Sequence, residues 1–156
     1  MITKQQSAAL DIGSPVKGVV VELSRVSDRA FASGALGPGA AVAPGSGTIT
    51  APLAGKLIVA MPHAYGIRHP SGVEVLVHVG LDTVRLKGRH FAVDVQQGQA
   101  VQAGTRLCTV ELSDLVDKGF DPTVIVVVTN PAHTQAAVPI PRVDAAAGDT
   151  LITVIL

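Results

Sequence analysis

The chain has 156 residues, of which 47% are apolar and 15% charged, with twelve basic and twelve acidic side chains in balance. That composition excludes a disordered polar chain and offers no basic excess to a nucleic-acid partner. A single cysteine, Cys108, leaves no intrachain disulfide and no paired-cysteine metal or redox motif.

Residues 1–12 read as a short flexible lead-in and 13–156 as one domain, a length that can bury a substantial core. The opening MITKQQSAAL lacks the apolar centre of a signal peptide and is too short and weakly apolar for a membrane-seeking tail. No run approaches the roughly 18 apolar residues of a membrane span. With its own initiator methionine and no further domain, the chain is expected to be free-standing and cytoplasmic, without direct membrane insertion.

Sixteen glycines and ten prolines among many valines and threonines predict numerous short strands joined by turns. Ser14-Pro15-Val16-Lys17-Gly18 leads into the apolar run Val19–Leu23, and 37 residues later Ala51-Pro52-Leu53-Ala54-Gly55 leads into Leu57–Met61. A second echo joins 103–112 to 147–156, 44 residues apart, with six identities in ten. These repeats predict a compact, barrel-like antiparallel β-sandwich of short strands with internal duplication, all-β apart from one or two helical turns. Between the first runs, Ala41–Gly47 is expected to be a loop.

Residues 61–87 hold two strand-like runs around His69-Pro70-Ser71-Gly72, which is turn chemistry. If the hairpin is centred between Pro70 and Ser71, His63 faces His78 on one side of the sheet, with Cβ atoms about 4.5–5.5 Å apart. A slip of one residue would carry one ring to the other face. Val73, Val75, Val77 and Val79 share one side and Glu74, Leu76 and His78 the other. The valine side needs burial, so His78 looks out from the opposite one. Two facing imidazoles suit metal binding, acid–base work or phosphoryl transfer.

Further on, Cys108 reads as a small core hydrophobe, and Ser113 is placed to cap a brief helical turn through Lys118 that stops at Gly119. The run 122–129 is apolar and β-branched, a central buried strand broken by Asn130-Pro131. His69, His90 and His133 sit in turn or surface contexts, and Lys87 helps shape the loop after the second apolar run.

The segment Val77-His78-Val79-Gly80-Leu81-Asp82-Thr83-Val84-Arg85-Leu86-Lys87-Gly88 closely resembles the phosphorylation-site segment of enzyme IIA domains of the glucose family, components of the bacterial phosphoenolpyruvate-dependent sugar phosphotransferase system. His63-Ala64-Tyr65 resembles that family's second active-site histidine, and the spacing of the two histidines matches. The resemblance runs from about Gly13 to Leu156 and is strongest from Ala51 to Gly88.

It implies that His78 accepts a phosphoryl group from the phosphocarrier protein HPr and passes it to a cysteine of enzyme IIB in the sugar permease IIB/IIC, with no cofactor. Nε2 would be the reactive atom, Nδ1 being anchored on the backbone carbonyl after Gly80. His63 would stabilise the phosphoryl oxygens. Asp82, and Asp28 in Val26-Ser27-Asp28-Arg29-Ala30-Phe31, resemble carboxylates that receive an arginine of the phosphocarrier. Phe31, Leu36, Val59, Val79 and Val84 fall where the family places an apolar docking collar.

The chain departs from the pattern at Ala30 and Ala35, which are small, at the charged Arg29, at Gly37-Pro38-Gly39, and at Met61, where a threonine is common. Other readings are a regulatory module that binds proteins without transfer and a zinc peptidase of similar architecture. The peptidase would need three protein ligands around an open metal site. Any zinc at His63 and His78 would be adventitious. A swinging-arm domain shares the turn-strand pattern of 98–104 but needs an exposed lysine at a hairpin tip, which is not evident.

Overall fold

The computed structural model describes residues 8–156. Its strands, in chain order, are β1 (Ala9–Gly13), β2 (Gly18–Glu22), β3 (Gly39–Pro44), β4 (Thr48–Thr50) and β5 (Gly55–Met61). Then come β6 (Ala64–Arg68), β7 (Glu74–Val79), β8 (Phe91–Val93), β9 (Ala100–Val101) and β10 (Arg106–Val110). The last four are β11 (Val124–Val128), β12 (Ala136–Pro139), β13 (Asp144–Ala145) and β14 (Thr150–Ile155). Two short helices, α1 (Arg29–Ala32) and α2 (Leu112–Asp117), interrupt them. The fold is all-β, as expected, and none of the described helices is long and apolar enough to cross a membrane.

Eight strands form one sheet in the order β13-β2-β3-β11-β7-β6-β5-β9, and two three-stranded sheets, β1-β14-β12 and β4-β10-β8, complete the architecture. Every pairing is antiparallel. β11 runs between β3 and β7 with all five residues buried, which is why its sequence is apolar on both faces. The main core takes the valine side of β7 together with Ile12, Leu57, Tyr65, Leu107, Leu151 and their neighbours. A smaller cluster covers the other side of the sheet: Val26, Phe31, Ala41, Leu81, Ile125 and Val127.

The duplication read from the sequence reappears in the hydrogen bonds. Gly13 N–H donates to the Pro52 carbonyl, and at the equivalent place Thr50 N–H donates to Pro15. Ser14 exchanges bonds with Gly148 and Asp149, as Ala51 does with Gly104 and Thr105. Residues 37 apart in one echo and 44 apart in the other thus make the same contacts, the mark of two halves packed about a pseudo-twofold axis.

Three local expectations are corrected. The flexible lead-in proposed for residues 1–12 is strand from Ala9 onward, because β1 pairs with β14 and closes an edge; residues 1–7 lie outside the described set. Ala41 to Pro44 are not loop but the second half of β3: β2 pairs with all four, β11 pairs with Ala41 and Val42, and those two are buried while Ala43 is exposed. Ser113 lies inside α2 and caps nothing; Glu111 holds the cap position. The helix does stop at Gly119: the Gly119 and Phe120 N–H groups return to the Val116 and Leu115 carbonyls, a Schellman ending.

Cys108 is fully buried, and burial pushes its thiol up to about 11, so it is inert at neutral pH.

Candidate functional site

The hairpin that organises the site differs by one residue from the expected register. His69 pairs with Val73 around a three-residue loop, with Gly72 in the left-handed region at φ +95°, so the centre falls on Ser71. His78 therefore lies opposite Ala64, and His63 aligns with Val79, whose N–H donates to the His63 carbonyl at 2.7 Å. In a regular strand that slip would aim His63 into the valine core. His63 escapes because it is not in a strand: Met61 pairs with Ala64, leaving Pro62-His63 as a two-residue turn between β5 and β6. A turn residue is free of strand alternation. Its ring lies edge-on to that of His78, centroids 5.3 Å apart and planes at 79°.

His78 stands on the side of β7 away from the valines, as expected, but under the smaller apolar cluster rather than in open solvent. Phe31 packs against its ring with centroids 5.1 Å apart. Phe31 is held there by Asp28, whose Oδ1 accepts the Ala30 and Phe31 N–H groups at the start of α1.

His78 Nδ1 lies 2.7 Å from the Gly80 carbonyl oxygen. With that carbonyl as acceptor, Nδ1 carries the proton and Nε2 keeps its lone pair. Gly80 occupies the left-handed region at φ +78°. A Cβ there would come within 2.5 Å of Thr83 Cγ2 and 3.2 Å of the Asp121 carbonyl. Thr83 itself is buried and donates to the Val79 carbonyl at 2.6 Å. Gly80→Ala is expected to cost about 2–4 kcal/mol through strain and crowding. Urea unfolding measures it, and an unchanged midpoint would contradict the strain.

Burial lowers the pKa of His78 from its ordinary value, against the raising influence of the Gly80 carbonyl and of the Asp28 and Asp82 carboxylates. Burial, and then the neighbouring His78, lowers His63 as well. Both rings are thus neutral at pH 7. The unfolded chain binds more protons between the folded pKa values and about 6.5, so stability should rise with pH through that window and level off above it. Proton NMR titration should place both midpoints below 6.5. A midpoint above it for either ring would reverse the sign.

Asp82 is exposed at the head of the Thr83–Leu86 turn with φ +58°, its charge facing the His78 environment. Leu36 and Val84 are exposed apolar side chains, and Val59 is partly buried. Val79 is no collar residue: it is fully buried, because strand alternation puts it on the core side when His78 faces the other way. Phe31 is also buried and acts as a wall of the His78 site. Met61 is exposed at the end of β5.

His69 stays in its turn beside Ser71, and His133 stays near Gly72. His90 lies 3.4 Å from Glu111 and 3.3 Å from Asp114. Among the described residues these three could bring ligand atoms to one cation, a group that includes neither His63 nor His78. Sequence reasoning missed the packing of Phe31 on His78 and the support of Gly80 by Thr83. Neither leaves a periodic or spacing signal.

Residues 10–134 match the family described as phosphoenolpyruvate-dependent sugar phosphotransferase system, EIIA 1. The chain is 44% identical over 111 residues to a glucose-specific EIIA component from Mycoplasma capricolum, covering 70% of this chain and 72% of the relative. It is 42% identical over 147 residues to a mannose-specific EIIBCA component from Corynebacterium glutamicum, covering 93% of this chain and 22% of the relative. Against several multi-component relatives the chain spans about a fifth of their length. A solved structure, glucose permease IIA from Mycoplasma capricolum, superposes with a TM-score of 0.82 at 34% identity, covering 98% of this chain and 99% of that one.

Proposed function

Because the chain belongs to the EIIA 1 family of the phosphoenolpyruvate-dependent sugar phosphotransferase system, we propose that it carries a phosphoryl group on His78 Nε2, taken from HPr and delivered to a cysteine of enzyme IIB. The observation behind this reading is the 2.7 Å approach of His78 Nδ1 to the Gly80 carbonyl, which leaves Nε2 as the basic, nucleophilic atom.

In the accepting step the Nε2 lone pair attacks phosphorus. The donor's P–N bond breaks, and its electron pair returns to the donor's imidazole. In the delivering step a cysteine thiolate attacks the same phosphorus, and the P–Nε2 bond returns its pair to His78. Neither step needs a metal ligand from this chain; alignment and charge stabilisation do the work.

His63 supplies the charge stabilisation. Asp82 and the free oxygen of Asp28 receive a cation of the phosphocarrier, and Leu36, Val59 and Val84 form the apolar border that excludes water at docking. The EIIB and EIIC components named with EIIA in the multi-component relatives mark the class of the onward partner, at the cytoplasmic side of a sugar permease.

Incubation with labelled phosphoenolpyruvate, enzyme I and HPr tests the reading. Label should appear as an acid-labile adduct in the peptide containing His78 and leave when enzyme IIB is added. Absence of label, or label on another peptide, overturns it.

A further inference from the structure

The peptide unit between Gly80 and Leu81 has two ends, and both are engaged. Its carbonyl faces His78 Nδ1 at 2.7 Å, and its N–H donates to the Asp121 carbonyl at 2.9 Å. In a trans peptide these groups point in opposite directions, so fixing the N–H fixes the aim of the carbonyl. One residue earlier, Gly80 N–H donates to the Thr123 carbonyl at 3.0 Å.

The segment 121–123 is itself locked. Asp121 Oδ1 accepts Thr123 N–H at 2.9 Å and the Thr123 hydroxyl at 2.6 Å, a side-chain-closed turn around Pro122. Its two outward carbonyls are those that receive the Gly80 and Leu81 N–H groups. A chain of hydrogen bonds thus runs from the Asp121 backbone, through the 80–81 peptide, to the imidazole, and each bond polarises the next.

We propose that the Asp121–Thr123 turn is a positioning device for the phosphoryl-transfer reaction, holding the Gly80 carbonyl where it keeps the His78 proton on Nδ1 and the lone pair on Nε2. The inference rests on His78 being the acceptor. Asp121 also borders a polar recess with Asp82, Arg85 and Lys118. A role there would be contact with the partner, which has a different signature.

The test compares Asp121→Ala, Asp121→Asn and Thr123→Val with the parent protein. Nitrogen-15 NMR of His78 is read first, without any partner. The parent should show Nδ1–H almost exclusively, and Asp121→Ala and Thr123→Val should show a measurable share of Nε2–H. Asp121→Asn keeps the acceptor oxygen and should restore the parent spectrum.

With phosphorylated HPr as donor, kcat for Asp121→Ala should fall about tenfold, a factor of the size expected from one weakened hydrogen bond, with KM unchanged. Asp121→Asn should recover the rate. An unaltered tautomer in Asp121→Ala overturns the proposal. So does a rise in KM alone, or an Asp121→Asn protein as slow as Asp121→Ala, because each would assign Asp121 to partner contact. Failure of the parent protein to accept phosphate would instead remove the underlying assignment of His78, leaving the tautomer measurement to stand by itself.

Discussion

His78→Ala is expected to take up no label from phosphorylated HPr, while circular dichroism and urea unfolding report a folded protein. In the proposed reaction the ring supplies the atom that attacks phosphorus, so its removal eliminates the covalent step rather than slowing it. The fold should survive because His78 is half-buried on the side of β7 that faces the smaller cluster, while the valines opposite it stay in the main core. The stability loss should stay near 1–2 kcal/mol, the usual size for a side chain outside the principal core. Label on His78→Ala would make His63, 5.3 Å away between ring centroids, the acceptor instead.

His63→Gln should behave differently: it should accept phosphate at His78 within about threefold of the parent rate, yet pass it on about 10²–10⁴ times more slowly. The reason lies in the charge of the neighbour. In the resting protein burial holds the His63 pKa down, and a protonated His78 would lower it further. Once His78 carries a phosphoryl group, the neighbouring charge is about −1.5 to −2, and the same proximity raises the His63 pKa. On the proposed mechanism His63 then gains a proton and lies as a cation against the phosphoryl oxygens. There it offsets the repulsion met by the incoming thiolate. Glutamine can donate a hydrogen bond but cannot acquire that charge. Equal onward rates in the two proteins would refute the helper role. Proton NMR gives an independent check, since the His63 midpoint must move upward on phosphorylation of His78.

The convergence of His63 and His78 was legible in the sequence, but for a reason the structure replaces. Turn chemistry at 69–72 announces the hairpin, and alternation along 73–79 assigns His78 to the face away from the valines. The loop, however, has three residues between paired positions, and that odd count shifts the register by one. The rings still meet because a second turn, Pro62-His63, releases His63 from the alternation that would have buried it. Two local departures compensate, and sequence spacing reports only their sum.

Val79 is buried by the same alternation that turns His78 to the other face, a pattern already present in 73–79. The strand at Ala41 to Pro44, in contrast, depends on partners far away in sequence: β2 pairs with all four residues and β11 with Ala41 and Val42. Asp28 shows the same limit, since its Oδ1 caps α1 and holds Phe31 against the His78 ring.

What the sequence determined by itself was whatever short-range chemistry specifies: an all-β chain of short strands, the buried run 124–128, the inert Cys108, the repeats, and the Gly80 carbonyl beside His78. Tertiary structure alone decided which strands became neighbours, and therefore how the 80–81 peptide is held, which wall closes over His78, and which apolar side chains remain for a partner. Backbone propensity and alternation act over two to five residues, whereas these outcomes depend on packing between segments forty or more residues apart, such as Leu81 with Asp121 and Phe31 with His78.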